Sequence, residues 1–139
     1  MIYKYISQLA NMQRRFIDRL SKNKEYSGTE EKVIHYLFVN SEKTVYQKHL
    51  ESVFGLRAAT ATQVLDSLEK RGLIRRVTSK TDGRFKEIIL TEKAVGLKQD
   101  IFSDMDTLEN RIICGIDPEQ LKTWREVTEK MIANLNEEN

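Results

Sequence analysis

The strongest constraint on this chain is the order of local signals between residues 27 and 91. Ser27-Gly28-Thr29-Glu30 has the form of a capping box, in which the serine caps a helix and the glutamate reaches back to it. It opens a helix with Val33, Ile34, Leu37 and Phe38 on one face. Thr44 and Gln47 repeat the same spacing and are expected to start a shorter helix through Tyr46, Leu50 and Val53. That helix stops at Phe54-Gly55-Leu56, where glycine supplies the left-handed residue of a sharp turn. Another helix follows, with Ala61, Val64, Leu65 and Leu68 as its inward stripe and Gly72 at its end. Two β-prone runs, "LIRRVTS" and "KEIIL", then flank Asp82-Gly83, two residues that tolerate the positive φ of a tight hairpin turn. Helix, glycine turn, helix and hairpin, in that order, outline a winged helix-turn-helix.

The flanking segments are helical by spacing. Ile2, Ile6, Leu9, Met12, Phe16 and Leu20 recur at helical intervals in the first stretch. Thr91 is expected to cap one long helix carrying Ala94, Leu97, Ile101, Met105, Leu108 and Ile112, which Gly115 breaks. Asp117-Pro118-Glu119-Gln120 marks a new start, with Asp as cap and Pro at the first helical position. The last helix then carries Leu121, Trp124, Thr128, Met131 and Leu135. The expected fold class is mainly α with a small β-hairpin wing: a winged helix-turn-helix plus a helical dimerisation region. One domain spans 1–139, with the winged lobe at 27–93 and the dimerisation helices at 1–24 and 94–139.

A chain of 139 residues can bury a core without disulfides or metal. A single proline favours a mostly helical chain. Apolar runs are too short to span a bilayer, and the N-terminal stretch lacks the apolar segment of a signal peptide, so the expected location is cytoplasmic, with no membrane partner. Cys114 has no second cysteine to bridge to and is expected to be a buried or half-buried thiol. His35 and His49 lack the spacing of a metal site, so neither metal nor cofactor is expected. With no nucleophile elbow, phosphate loop or paired acid and base, the chain is not expected to be an enzyme. The net charge of +2 is unevenly spread: residues 43–98 hold twelve Lys/Arg against six Asp/Glu, while the remainder is acidic. A basic middle suits a polyanion.

Three stretches carry a resemblance. "LDSLEKRGLIRR" (Leu65 to Arg76), "DGR" followed by "IILTEKA", and "DPEQLKTWREVTEKMIANL" together resemble the MarR family of transcriptional regulators, over nearly the whole chain. The resemblance implies an obligate homodimer whose first and last helices interlock and carry two winged-helix lobes. The chain departs from the family pattern at Ala94, where glycine is frequent, and in the lighter charge of Ser79, Lys80 and Thr81. It also lacks a strong N-cap at Arg57 or Ala58.

With Ala61, Val64, Leu65 and Leu68 facing inward, the leading end of the recognition helix offers Arg57, Ala59, Thr60, Thr62 and Gln63 to a major groove. The resemblance puts a base-reading side chain at Gln63. Arg84 at a narrow hairpin tip suits a minor groove. By resemblance, Asp82 holds that arginine in place and Arg76 makes structural ion pairs. Lys80 and Lys86 suit phosphates, as do Thr44, Gln47 and Lys48 at the start of the preceding helix, where backbone N–H groups and the helix dipole favour an anion. The expected function is that of a homodimeric, sequence-specific regulator of a pseudo-palindromic double-stranded DNA operator, a repressor relieved by a small-molecule effector. The alternative is a winged-helix protein-interaction module without specific DNA binding.

Overall fold

A computed structural model describes residues 1–136. Its elements are α1 (Ile2–Leu20), α2 (Gly28–Val39), α3 (Gln47–Phe54), α4 (Ala58–Lys70), β1 (Ile74–Thr78), β2 (Lys86–Leu90), α5 (Glu92–Val95), α6 (Lys98–Ile113) and α7 (Pro118–Leu135). The fold is mainly α with a two-stranded antiparallel hairpin, as expected. The chain divides into two units, Met1–Leu108 and a second beginning at Glu109.

Local chemistry accounts for most boundaries in the first unit. Ser27 Oγ accepts from Glu30 N–H at 3.1 Å, and Glu30 Oε1 accepts from Ser27 N–H at 3.0 Å, which closes the capping box of α2. Gly55 (φ 61) ends α3 and Gly72 (φ 75) follows α4, both left-handed as a helix exit requires. Beyond Gly72, Leu73 N–H reaches back to Leu68 O at 2.9 Å.

Four expectations change. The first concerns Thr44: helix α3 begins at Gln47, and Tyr46 is its N-cap. There His49 Nδ1 accepts from Tyr46 N–H at 2.9 Å, the reach back to the cap that was expected of Gln47, while Tyr46 stands in the cap position expected of Thr44. Val45 meanwhile continues extended, and its carbonyl accepts from Ile88 N–H on the outer edge of β2 at 2.9 Å.

Secondly, Asp82-Gly83 is not a tight two-residue turn. The paired register ends at Thr78 opposite Lys86, and Gly83 is absent from the positive-φ residues. A loop of residues 79–85 replaces it, because the Ser79 hydroxyl and the Asp82 carboxylate gather the N–H groups of Thr81, Asp82 and Arg84.

Thirdly, the long helix after Thr91 is two helices. Gly96 N–H and Leu97 N–H both turn to carbonyls three residues back, Lys93 O at 3.2 Å and Ala94 O at 2.9 Å, which tightens the chain before α6.

Fourthly, Cys114 is exposed rather than buried. It lies just past the end of α6.

The first unit has one core. Ile17 of α1, Val33, Ile34 and Leu37 of α2, Leu50 of α3, and Leu65 and Leu68 of α4 pack with Ile74, Ile88, Ala94, Ile101 and Met105. Each fully buried Leu or Ile contributes about 1.5–3 kcal/mol relative to exposure. Only the last turns of α1 take part: Ile17 is buried and Phe16 and Leu20 are half-buried, while Ile2, Ile6, Leu9 and Met12 are exposed. Gly28 permits the close approach of α2 to α1, since a Cβ there would lie 2.9 Å from Ile17 Cγ2.

In the second unit, Gly115 (φ 75) precedes α7. Asp117 N–H donates to Gln120 Oε1 at 3.3 Å, and Glu119 N–H donates to Asp117 Oδ1 at 3.4 Å, so the Asp-Pro start behaves as expected. None of the described residues of α7 is buried, and Trp124 is 54% exposed.

Candidate nucleic-acid interface

The inward face of α4 determines what its outward face offers. Ala61, Leu65 and Leu68 are buried, which leaves Arg57, Ala59, Thr60, Thr62 and Gln63 exposed near the start of the helix. Small side chains there let the helix approach another surface closely. Thr62 Oγ1 donates to Ala58 O at 2.9 Å and accepts from Gln47 Nε2 at 3.0 Å. Gln47 also reaches Ala58 O at 3.3 Å. The Gln47 amide therefore ties the start of α3 to α4, and Thr62 presents its hydroxyl already engaged.

At the wing tip, Arg84 and Asp82 form a two-pronged pair. Arg84 Nε donates to Asp82 Oδ1 at 3.1 Å, and a terminal guanidinium nitrogen donates to Oδ2 at 3.0 Å. The backbone N–H of Arg84 adds a third bond to Oδ1 at 3.1 Å. These bonds hold the Asp82 carboxyl below the usual carboxylate range, and Asp82 in turn raises Arg84. The Arg84 side chain stays 82% exposed, so a fixed cation stands in solvent. Lys80 within the loop and Lys86 directly after it are both exposed.

Between the wing and the start of α3 runs a cleft of about 450 Å³, lined in part by Tyr46, Gln47, Lys48, Arg84, Phe85 and Lys86. Lys48 Nζ stands over the Phe85 ring at 4.8 Å from its centroid, and the Arg84 guanidinium lies 5.5 Å from the same ring. Of the residues assigned to a phosphate at the start of α3, Lys48 is exposed beside this cleft and Gln47 is committed to α4. Thr44 is exposed but precedes the helix by three residues, so it presents no helix N-terminus.

Arginines further along have partners that explain them. Arg76 binds Glu69 and Asp66, each at 2.7 Å, and the Glu69 bond raises Arg76 while lowering Glu69. Arg71 pairs with Glu30, which joins the end of α4 to the start of α2. Among the described residues there is no group of three His, Cys, Asp or Glu side chains suited to a metal ion, and no helix is long and apolar enough to cross a membrane.

Tyr46, His49, Ser79 and Phe85 were not legible as site residues. Tyr46 stacks on His49 and tilts against Phe85, with centroids 5.5 and 5.6 Å apart, and its hydroxyl lies 2.8 Å from Ser79 Oγ. Tyr46 and Ser79 stand 33 residues apart. The one local hint is aromatic residues set beside Lys48 and Arg84.

Comparison with known proteins agrees with this geometry. The model of the MarR family matches residues 34–84. The transcription regulator MarR from Oenococcus oeni PSU-1 is 32% identical, with 96% of this chain and 99% of that one covered and a TM-score of 0.80. MepR of S. aureus, in a complex with DNA, is 18% identical over 98% of this chain and 97% of that one, with a TM-score of 0.83. CouR from Rhodococcus jostii RHA1, bound to p-coumaroyl-CoA, is 22% identical over 92% and 89%, with a TM-score of 0.78.

Proposed function

The chain belongs to the MarR family of transcriptional regulators, and we propose that it acts as a homodimer on a pseudo-palindromic DNA operator, as a repressor released by a small molecule. The observation that carries this reading is the fixed, exposed Arg84 at the wing tip, beside a recognition helix with a small-residue leading face. Arg57, Ala59, Thr60, Thr62 and Gln63 enter the major groove, with Gln63 reading a base. Arg84, held by Asp82, enters the adjacent minor groove. Lys48, Lys80 and Lys86 meet phosphates, which contribute affinity and salt dependence rather than sequence choice. Gln47 supports this set through α4, and Thr44 reaches a phosphate only through its own side chain.

Residues 27–93 form the DNA-binding lobe, and the helices on either side hold the two copies together. Exposed apolar side chains at helical spacing support the second role: Ile2, Ile6 and Leu9 on α1, and Trp124, Ile132 and Leu135 on α7. Two-fold symmetry then sets two recognition helices about 34 Å apart, one turn of the duplex. An effector acts by favouring one angle between the lobes, through its different affinity for the two states. The MepR–DNA complex and the CouR–p-coumaroyl-CoA complex are relatives of the same fold that support DNA and an organic effector as partners.

A gel-shift titration against genomic fragments over a range of salt tests the reading. Preference for particular fragments over random duplex, persisting as salt rises, is the expected result. Equal affinity for all duplexes at every salt would overturn it.

A further inference from the structure

We propose that Tyr46 is a positioning residue that couples the wing to the recognition helix, so that the two DNA-reading elements are set relative to each other before DNA is met. The proposal rests on the DNA-binding reading above and adds a role that none of the wing or groove residues supplies.

The wing loop is assembled around one hydroxyl. Ser79 is 6% exposed, and its Oγ lies 3.3 Å from both Thr81 N and Asp82 N and 3.1 Å from Thr81 Oγ1. A serine hydroxyl has one proton and two lone pairs. The two backbone N–H groups take the lone pairs at long range, so the shortest contact, Tyr46 at 2.8 Å, is the one that fixes the hydroxyl. The Ser79 N–H donates to Phe85 O at 3.0 Å and Phe85 N–H donates to Asp82 O at 3.2 Å, which closes the same loop from its other side. Asp82, whose N–H Ser79 orients, is the residue that grips Arg84. A path of adjacent bonds therefore leads from the Tyr46 phenol to the guanidinium at the tip.

The other end of Tyr46 is equally constrained. It is the N-cap of α3, and its N–H is bound to His49 Nδ1. Its neighbour Gln47 bonds to Thr62 and Ala58 on the recognition helix. Tyr46 thus stands at the junction between the arginine-bearing wing and the helix that faces the groove. Phe85 and Lys48 close the junction, the ring against Tyr46 and the ammonium over Phe85. Holding both elements in place in the free protein reduces the ordering cost when both engage one duplex.

The experiment compares the full-length wild type with Tyr46→Phe, Ser79→Ala and Arg84→Ala, alone and combined. Tyr46→Phe removes one hydroxyl and keeps the ring, and Ser79→Ala removes the partner should the first variant fold poorly. In the free protein, amide hydrogen exchange at Thr81, Asp82 and Arg84 is expected to quicken in both variants, while exchange at Ile101 in α6 stays unchanged. Binding to the preferred DNA is expected to weaken by about five- to 150-fold, the range for leaving a buried hydrogen-bonding group unpaired. The loss from Arg84→Ala should shrink when Tyr46→Phe is already present, since a loosened wing gains less from its arginine. Strictly multiplicative losses, or wing exchange equal to wild type in both variants, would overturn the proposal. If the wild type shows no DNA preference, the functional reading fails by itself, and the exchange measurement still decides whether Tyr46 holds the wing.

Discussion

Arg84 and Asp82 meet through both guanidinium and backbone nitrogens, with three hydrogen bonds between 3.0 and 3.1 Å, while the arginine remains almost wholly in solvent. An acidic side chain beside a cation proposed to enter a minor groove is unfavourable there unless it orients that cation. Asp82→Asn should therefore weaken binding to the preferred DNA even though it removes a negative charge. Arg84→Ala should weaken it by about tenfold or more, on the scale of a charge-assisted bond, with dimer and helicity intact. Fluorescence anisotropy at physiological salt measures both. Tighter binding by Asp82→Asn would show that the aspartate only repels.

Gln63 stands exposed on α4 beyond the buried Ala61 and Leu65. Gln63→Ala should relax preference at one base position per half-site, a loss of about 1–3 kcal/mol of discrimination. Sequencing DNA selected by each form reads this directly. Identical profiles would displace Gln63 from base reading and shift the register of the helix in the groove.

Glu31 is fully buried, and among the described residues no N–H or O–H group donates to either of its oxygens. Burial first, and second the hydrogen bond that a protonated Glu31 can give the Asp104 carboxylate, push its carboxyl up to about 8 from 4.5, with the Asp104 and Asp100 charges adding to the effect and Lys24 opposing it. The Tyr26 hydroxyl is likewise buried without a partner, and Lys24 is taken by Asp104 at 2.6 Å. Between pH 4.5 and about 8 the native chain holds a proton that the unfolded chain has released. Stability from this group is thus complete below the lower value, falls as pH rises through the window, and levels off above the upper one. Urea midpoints at several pH values should decline across that window for the wild type and decline less for Glu31→Gln. Parallel curves for the two proteins would contradict the assignment.

Gly28 sits where a Cβ would press on the buried Ile17. Gly28→Ala should lower stability by about 1–3 kcal/mol, the cost of overpacking a tight contact. Urea unfolding at fixed protein concentration checks it, and an unchanged midpoint would mean that α1 yields freely.

What the sequence disclosed follows the range of the forces involved. The Ser27 box, the Asp117 start and the left-handed Gly55 and Gly72 depend on neighbours within a few residues, and all were readable. The stripe of Ala61, Leu65 and Leu68 was readable because its period alone decides which side is buried. The start of α3 was misread because Val45 pairs with Ile88, a contact across the fold that holds the chain extended past Thr44. The wing turn was misread because a buried Ser79, fixed by Tyr46, outweighs the preference of Asp-Gly for a tight turn. Burial of Glu31 leaves no mark on a pattern in which it is one more acidic residue in the first turn of a helix. In the candidate interface, the exposed residues were legible one by one, whereas the aromatic and hydroxyl support beneath them depends on tertiary contact.

The central claim is that two copies present paired recognition helices and wings to one face of a duplex. Sequencing of duplexes selected from a random pool by the purified protein tests it most directly. The expected outcome is an enriched inverted repeat whose half-site centres lie about 10–10.5 base pairs apart, or a multiple of that spacing. Enrichment of no sequence, or of a lone half-site without its inverted mate, would contradict it.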